Sequence, residues 1–140
     1  MPDELVLTDD GNRALQEAQN FCWRSNTAIV SAEHLLAGAL LVLASAGYPG
    51  LPSKEELESA LMLAQGAGDE TLSSQVMFGS AARDAINATA RAVREAGGTR
   101  IDARLIAAGA IESGEVNPMF YGSLGVAKSQ LLDALSPPAA

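Results

Sequence analysis

The sequence predicts an all-α domain in which two copies of one helical unit, related by a pseudo-twofold axis, pack as a compact bundle. Hydrophobic residues make up 48% of the 140 positions but aromatics only 4%. The core must therefore come from Ala, Leu, Ile and Val, small side chains that suit closely packed helices and lack the aromatic and β-branched bias of strands. Apolar positions recur every three or four residues between capping residues and glycine or proline breaks. A shift of 71 residues also lays one half of the chain on the other without a gap. A chain of this length is expected to be one domain, burying about two-thirds of its unfolded surface without a disulfide or metal.

The first helix is expected to open at Thr8, whose hydroxyl can cap free backbone N–H groups, with Asp9 and Asp10 at the positive end of the helix dipole. Ala14, Leu15, Ala18, Phe21 and Cys22 form its buried stripe, and Ser25 and Asn26 end it. Ser31 caps a second helix running to about Ala46; it is apolar nearly all round and so predicted to be central. Gly47, Pro49, Gly50 and Pro52 break it. Ser53, with Glu56 three residues on, makes a capping box for a third helix carrying Leu57, Leu61 and Ala64. Ala67 to Met77 is polar and glycine-containing, the pattern of a linker. A fourth helix spans about Ser80 to Ala96, with Ala82, Ala85, Ile86, Ala90 and Val93 inward, and Gly97-Gly98 stops it. Asp102 caps a fifth helix through Ile106, Ala110 and Ile111, and after a turn around Gly114 to Pro118 a last helix covers roughly Val126 to Leu135. The Pro137-Pro138 tail is expected to fray.

The 71-residue shift places Leu7 on Phe78, Ala14 on Ala85, Leu15 on Ile86, Val30 on Ile101 and Ala32 on Ala103. It also sets Ala37-Gly38-Ala39 on Ala108-Gly109-Ala110. A matched Ala-Gly-Ala within both buried helices points to close backbone approach, where only small side chains fit. Repeat one thus covers about 7–64, a linker about 65–77 and repeat two about 78–135, within a single domain of residues 1–140.

Cys22 is the one cysteine, which rules out an intrachain disulfide and fits a reducing cytosol. The formal net charge of −8 disfavours phosphate backbones, so nucleic acid is not an expected partner. Met1 to Asp10 is acidic and lacks the basic-then-apolar order of a signal peptide. The apolar stretch from Leu35 to Gly47 is too short to span a bilayer. A soluble cytoplasmic protein without membrane association is the expectation, with a monomer as the simplest assembly. His34 is the only histidine, so neither a multi-histidine metal site nor a Ser-His-Asp triad can be built, and no metal, cofactor or catalytic residue is expected. Gly122 to Ser129 invites comparison with a phosphate-binding loop, but Ala127 stands where the second glycine is needed and no hydrophobic strand precedes it.

The stretch Leu7-Thr8-Asp9, then Ala14-Leu15 and Ala18-Gln19, then Val30-Ser31-Ala32-Glu33-His34-Leu35-Leu36 with Gly38, resembles the repeat of the N-terminal domain of Clp-family ATPases. The second copy runs from Phe78 through Ile101 and Gly109 to Leu124-Gly125-Val126. The resemblance implies an α-bundle of two repeats and a non-catalytic function, binding substrates or adaptors. No ATPase module follows, so a free-standing Clp-N-like protein is expected, an adaptor or regulator whose partners are a Clp ATPase, an adaptor or substrate proteins. In relatives of the Gram-positive type, the Thr at the helix start and the Glu of the Glu-His pair help to hold phosphoarginine. Thr8 and Glu33 retain those residue types, whereas the second copy has Gly79 and Arg104-Leu105. The alternative function is therefore a small-ligand binder recognising phosphoarginine, on the first copy, or a hydrophobic molecule.

His34 has a simpler reading as a structural hydrogen-bonding group, Glu33 as a first-turn carboxylate favoured by the dipole, and Cys22 as an inert core thiol. Phe120 and Tyr121, with Pro118 and Met119, are expected in a loop. Phe21 and Phe120 read as core, while Trp23 and Tyr121 fall off the cleanest apolar stripe and are the candidates for a partner surface. Lys54, Glu55, Glu56 and Glu58 read as a solvated helix face.

Overall fold

The computed structural model describes residues 6–24, 29–48, 50–65 and 77–135. Its first half runs β1 (Val6–Leu7), α1 (Asp9–Arg24), β2 (Ile29–Val30), α2 (Ala32–Ser45) and α3 (Lys54–Gln65). The second runs β3 (Met77–Phe78), α4 (Ser80–Glu95), β4 (Arg100–Ile101), α5 (Ala103–Glu112), α6 (Pro118–Leu124) and α7 (Lys128–Ala134). Both strands, the first helix and the start of the second helix recur at the 71-residue spacing. The expected linker lies almost wholly outside the described residues, as do Ser25, Asn26 and the Pro137-Pro138 tail.

Local chemistry sets the helix starts. Thr8 Oγ1 accepts from the Gly11 N–H at 3.2 Å and also bonds the Asp10 carboxylate, opening α1. Ser53 and Glu56 form the reciprocal capping box of α3, at 3.1 and 3.2 Å. Asp102 Oδ1 accepts from Leu105 N at 2.9 Å to cap α5, whereas Gly79 opens α4 with no side-chain cap.

Four two-residue strands join the expected helices. Each is too short to show alternation in the sequence, although Val6, Ile29, Val30 and Ile101 supply β-branched side chains. They pair in parallel across the repeats, β1 with β4 (Leu7 opposite Ile101) and β2 with β3 (Val30 opposite Phe78). Thr8 N donates to Ile101 O at 3.0 Å and Gly79 N to Val30 O at 2.9 Å. Each repeat thus lends a strand to the other, and the two ladders exchange under the pseudo-twofold. The buried helices α2 and α5 pack against each other between them.

The segment after α5 departs from expectation. Pro118 does not break a helix but begins one, α6, and Asn117 Oδ1 caps it by accepting from Met119 N at 3.0 Å. Proline is tolerated in a first turn because its missing N–H has no partner there. Phe120 and Tyr121 are therefore helical, and α6 packs on α3. Gly125, at φ 71°, closes α6 in the left-handed conformation, and the last helix begins at Lys128 rather than Val126.

The tightest contact is between α1 and α2. A Cβ on Gly38 would overlap Ala14 O and lie 2.6 Å from Ala18 N, both main-chain atoms. The equivalent Gly109 faces Thr89, where a Cβ would overlap Oγ1 and lie 2.9 Å from the Thr89 Cβ. Gly38→Ala is expected to destabilise the domain by about 3 kcal/mol or more, because backbone cannot yield as a side-chain tip can. Gly109→Ala should be partly rescued by Thr89→Ala, by about 1 kcal/mol or more, in a double-mutant cycle. Gly122→Ala, in α6 with nothing within 4 Å, should stabilise by about 0.5–1 kcal/mol. Urea denaturation measures all three.

Candidate functional site

The paired strands decide where the residues singled out in the sequence come to lie. The β1–β4 ladder sets Thr8 against Ile101 and the start of α5: its hydroxyl is 3.4 Å from Ile101 O, and Asp10 Oδ1 accepts from Ala103 N at 3.4 Å. The β2–β3 ladder sets Ser31 and the start of α2 against Gly79 and the start of α4. Thr8 and Glu33, expected to act on one ligand, thus belong to different strand-linked ends, each joined to a helix start of the opposite repeat. A 71-residue repeat read as two separate units hides this crossing.

Glu33 is only 7% exposed, and its negative charge contributes to the high pKa of Tyr121. Tyr121 is 6% exposed, so its expected place on a partner surface is corrected: α6 turns the ring inward beside Phe120, with ring centroids 6.2 Å apart in an edge-to-face arrangement. Burial first, and then Glu33, push the Tyr121 phenol up to about 12. Its hydroxyl has no hydrogen-bond partner among the described residues. Trp23 is 43% exposed at the end of α1, next to Cys22, whose thiol lies 3.7 Å from Ile29 O. Burial raises the Cys22 thiol to about 12, which leaves it protonated and unreactive.

His34 is buried at the third position of α2. Its backbone N–H donates to Ser31 Oγ at 3.3 Å, and its Nδ1 accepts from Ser31 N at 3.2 Å. This is a capping box with imidazole in the role usually taken by Glu or Gln, and it ties the helix to its own start. Accepting through Nδ1 requires the neutral ring, and burial lowers the pKa to about 4.

A groove on repeat two collects apolar surface instead. Ala88, Thr89 and Ala92 of α4 face Leu105, Ala108, Gly109 and Glu112 of α5 around a cavity of about 360 Å³. Thr89 closes the floor, its hydroxyl donating to Ala85 O at 2.9 Å. The 71-residue shift puts Phe21 on Ala92, Glu17 on Ala88, His34 on Leu105 and Leu41 on Glu112. In repeat one Phe21 is buried in the main core and Leu41 packs partly buried against it, while in repeat two Ala92 is exposed and too small to fill the equivalent place. The substitutions that open the groove stand in the sequence, but they show only when the copies are compared for their differences. Among the described residues, no three His, Cys, Asp or Glu side chains could share a metal ion, and no helix is long and apolar enough to cross a membrane.

Compared with solved structures, the chain superposes on the N-terminal domain of the caseinolytic protease-associated chaperone ClpD from Arabidopsis thaliana with a TM-score of 0.75, covering 92% of this chain and 91% of that one. The chain has the Clp N-terminal-domain fold. Sequence identity over the superposition is 18%, so this likeness is one of architecture. No family model matches the chain, and a search of curated proteins finds no match.

The lowered pKa of His34 gives stability a defined pH dependence. Between its ordinary value of 6.5 and about 4, the unfolded chain binds the proton and the folded chain does not. Stability from this group is therefore full above pH 6.5 and falls on acidification, by up to about 3 kcal/mol near pH 4. His34→Gln, which keeps the acceptor but cannot titrate, should flatten the slope over that window in urea titrations. Tyr121→Phe, which removes a buried unpartnered hydroxyl, is expected to raise stability by about 1 kcal/mol. A drop in melting temperature instead would show that the hydroxyl is bonded.

Proposed function

We propose that this Clp-N-like domain is a non-catalytic protein-binding module of the cytoplasm, an adaptor or regulator in a Clp ATPase system, which takes an apolar polypeptide segment into the α4–α5 groove. The observation that carries this reading is the concave apolar surface between α4 and α5, lined by Ala92 at the position where repeat one has a buried phenylalanine. Its volume, about 360 Å³, lies within the range of side-chain and small-ligand pockets. Alanine and glycine on facing helices give the floor few rotamers to lose, so an entering side chain meets a preformed surface. The fold supports the module reading, and the single buried cysteine suits a reducing compartment. Trp23, exposed at the far end of α1, is a second point of contact for a larger partner.

Anisotropy of fluorescein-labelled casein, an unfolded polypeptide, tests the binding. Ala92→Phe should fill the groove and weaken binding at least about tenfold, the cost of excluding one large apolar side chain. Unchanged binding by a folded Ala92→Phe variant would remove the groove from the function. The adaptor reading is tested by adding the protein to a Clp ATPase from the same organism. A changed rate of casein unfolding is expected, and an unchanged rate would leave a binding module without that role.

A further inference from the structure

The groove carries information about what it accepts, and this inference rests on the protein-binding reading above. Repeat one is an internal template. The position matching Ala92 is Phe21 of α1, which is 2% exposed and belongs to the main core that α2 also enters. A buried aromatic ring is thus what repeat one carries at the position that repeat two leaves to a methyl group. The template differs at one end, where Leu41 of repeat one corresponds to Glu112. Glu112 lines the groove, is exposed, and has no hydrogen-bond or ion-pair partner among the described residues. The remaining lining residues, Ala88, Thr89, Ala92, Leu105, Ala108 and Gly109, carry no charge, so this carboxylate sets the sign of the groove rim.

We propose that the α4–α5 groove recognises a polypeptide segment bearing an aromatic side chain next to a lysine or arginine, the ring seated over Ala88 and Ala92 and the cation at Glu112. The ring supplies most of the affinity through burial, and the charge pair at the exposed rim supplies a smaller, salt-sensitive preference. Glu112 is a specificity-determining residue here, since it selects among apolar segments that the groove would otherwise accept alike.

The probes are fluorescein-labelled glycine–serine peptides carrying Phe-Lys, Phe-Glu or Ala-Lys at their centre, with labelled casein measured alongside. The Phe-Lys peptide should bind about threefold more tightly than Phe-Glu at low salt, and at least about tenfold more tightly than Ala-Lys. Glu112→Gln should bring the two Phe peptides to equal affinity, and so should high salt with the unaltered protein. Equal binding of Phe-Lys and Phe-Glu to the unaltered protein, or a preference that survives Glu112→Gln, would overturn the assignment of Glu112. Equal binding of Ala-Lys and Phe-Lys would overturn the aromatic anchor. Casein binding that is lost in Ala92→Phe, without binding of any peptide, would sink this specificity while leaving the module reading intact. Absence of both casein and peptide binding would remove the two together.

Discussion

The close approach of α1 to α2 is the constraint on which the rest of the structure depends. Gly38 brings the α2 backbone against the main chain of α1 at Ala14 and Ala18, closer than any Cβ permits. With those helices pressed together, the large side chains of α2 (Leu35, Leu36, Leu40 and Leu43) are buried in the core that α5 also enters. The corresponding approach of α5 to α4 is looser, because Thr89 rather than an alanine faces Gly109. That one residue separates the copies twice: its hydroxyl returns to Ala85 O, and its side chain forms part of the groove floor.

The strand ladders turn these two helical pairs into one cooperative domain. Neither repeat closes on itself, since β1 needs β4 and β2 needs β3. The backbone groups before α1 find their partners on the other repeat, as with Thr8 N on Ile101 O. Two-residue ladders contribute little energy individually, but they set the relative position of the helix starts, where capping groups lie. Chemistry placed at a helix start is consequently shared between repeats.

Much of the fold was legible because it rests on local signals. Ser31, Ser53 and Asp102 cap where hydroxyl or carboxylate side chains precede periodic apolar residues, and the 71-residue register reappears in strand and helix starts. Helix α6 was missed because the stretch from Gly114 to Pro118 has the composition of a turn, while the helical role of Pro118 depends on the single residue Asn117 before it. Thr8 and Glu33 were placed together because they share a repeat, and strand exchange between repeats leaves no periodic trace in two-residue strands. Tyr121 left the surface for the same reason that α6 was missed: once the segment is a helix packed on α3, its aromatic residues turn inward.

Differences between the copies explain how a groove can open without new architecture. Two identical repeats would either both be filled by a ring at the Phe21 position or both be open, and a domain open on both sides would lose core on both. Here repeat one keeps Phe21 and Leu41 packed with the leucines of α2, while repeat two gives up the ring for Ala92 and the apolar end for Glu112. Removing a phenylalanine from a core costs roughly 3–5 kcal/mol, but the same change beside solvent at the edge of α4 opens a groove instead of an internal void. The exposure of Ala92 and the bonded hydroxyl of Thr89 beneath it show that repeat two is finished as a surface. Both copies contribute to the main core, and repeat two in addition presents a shaped apolar face between α4 and α5.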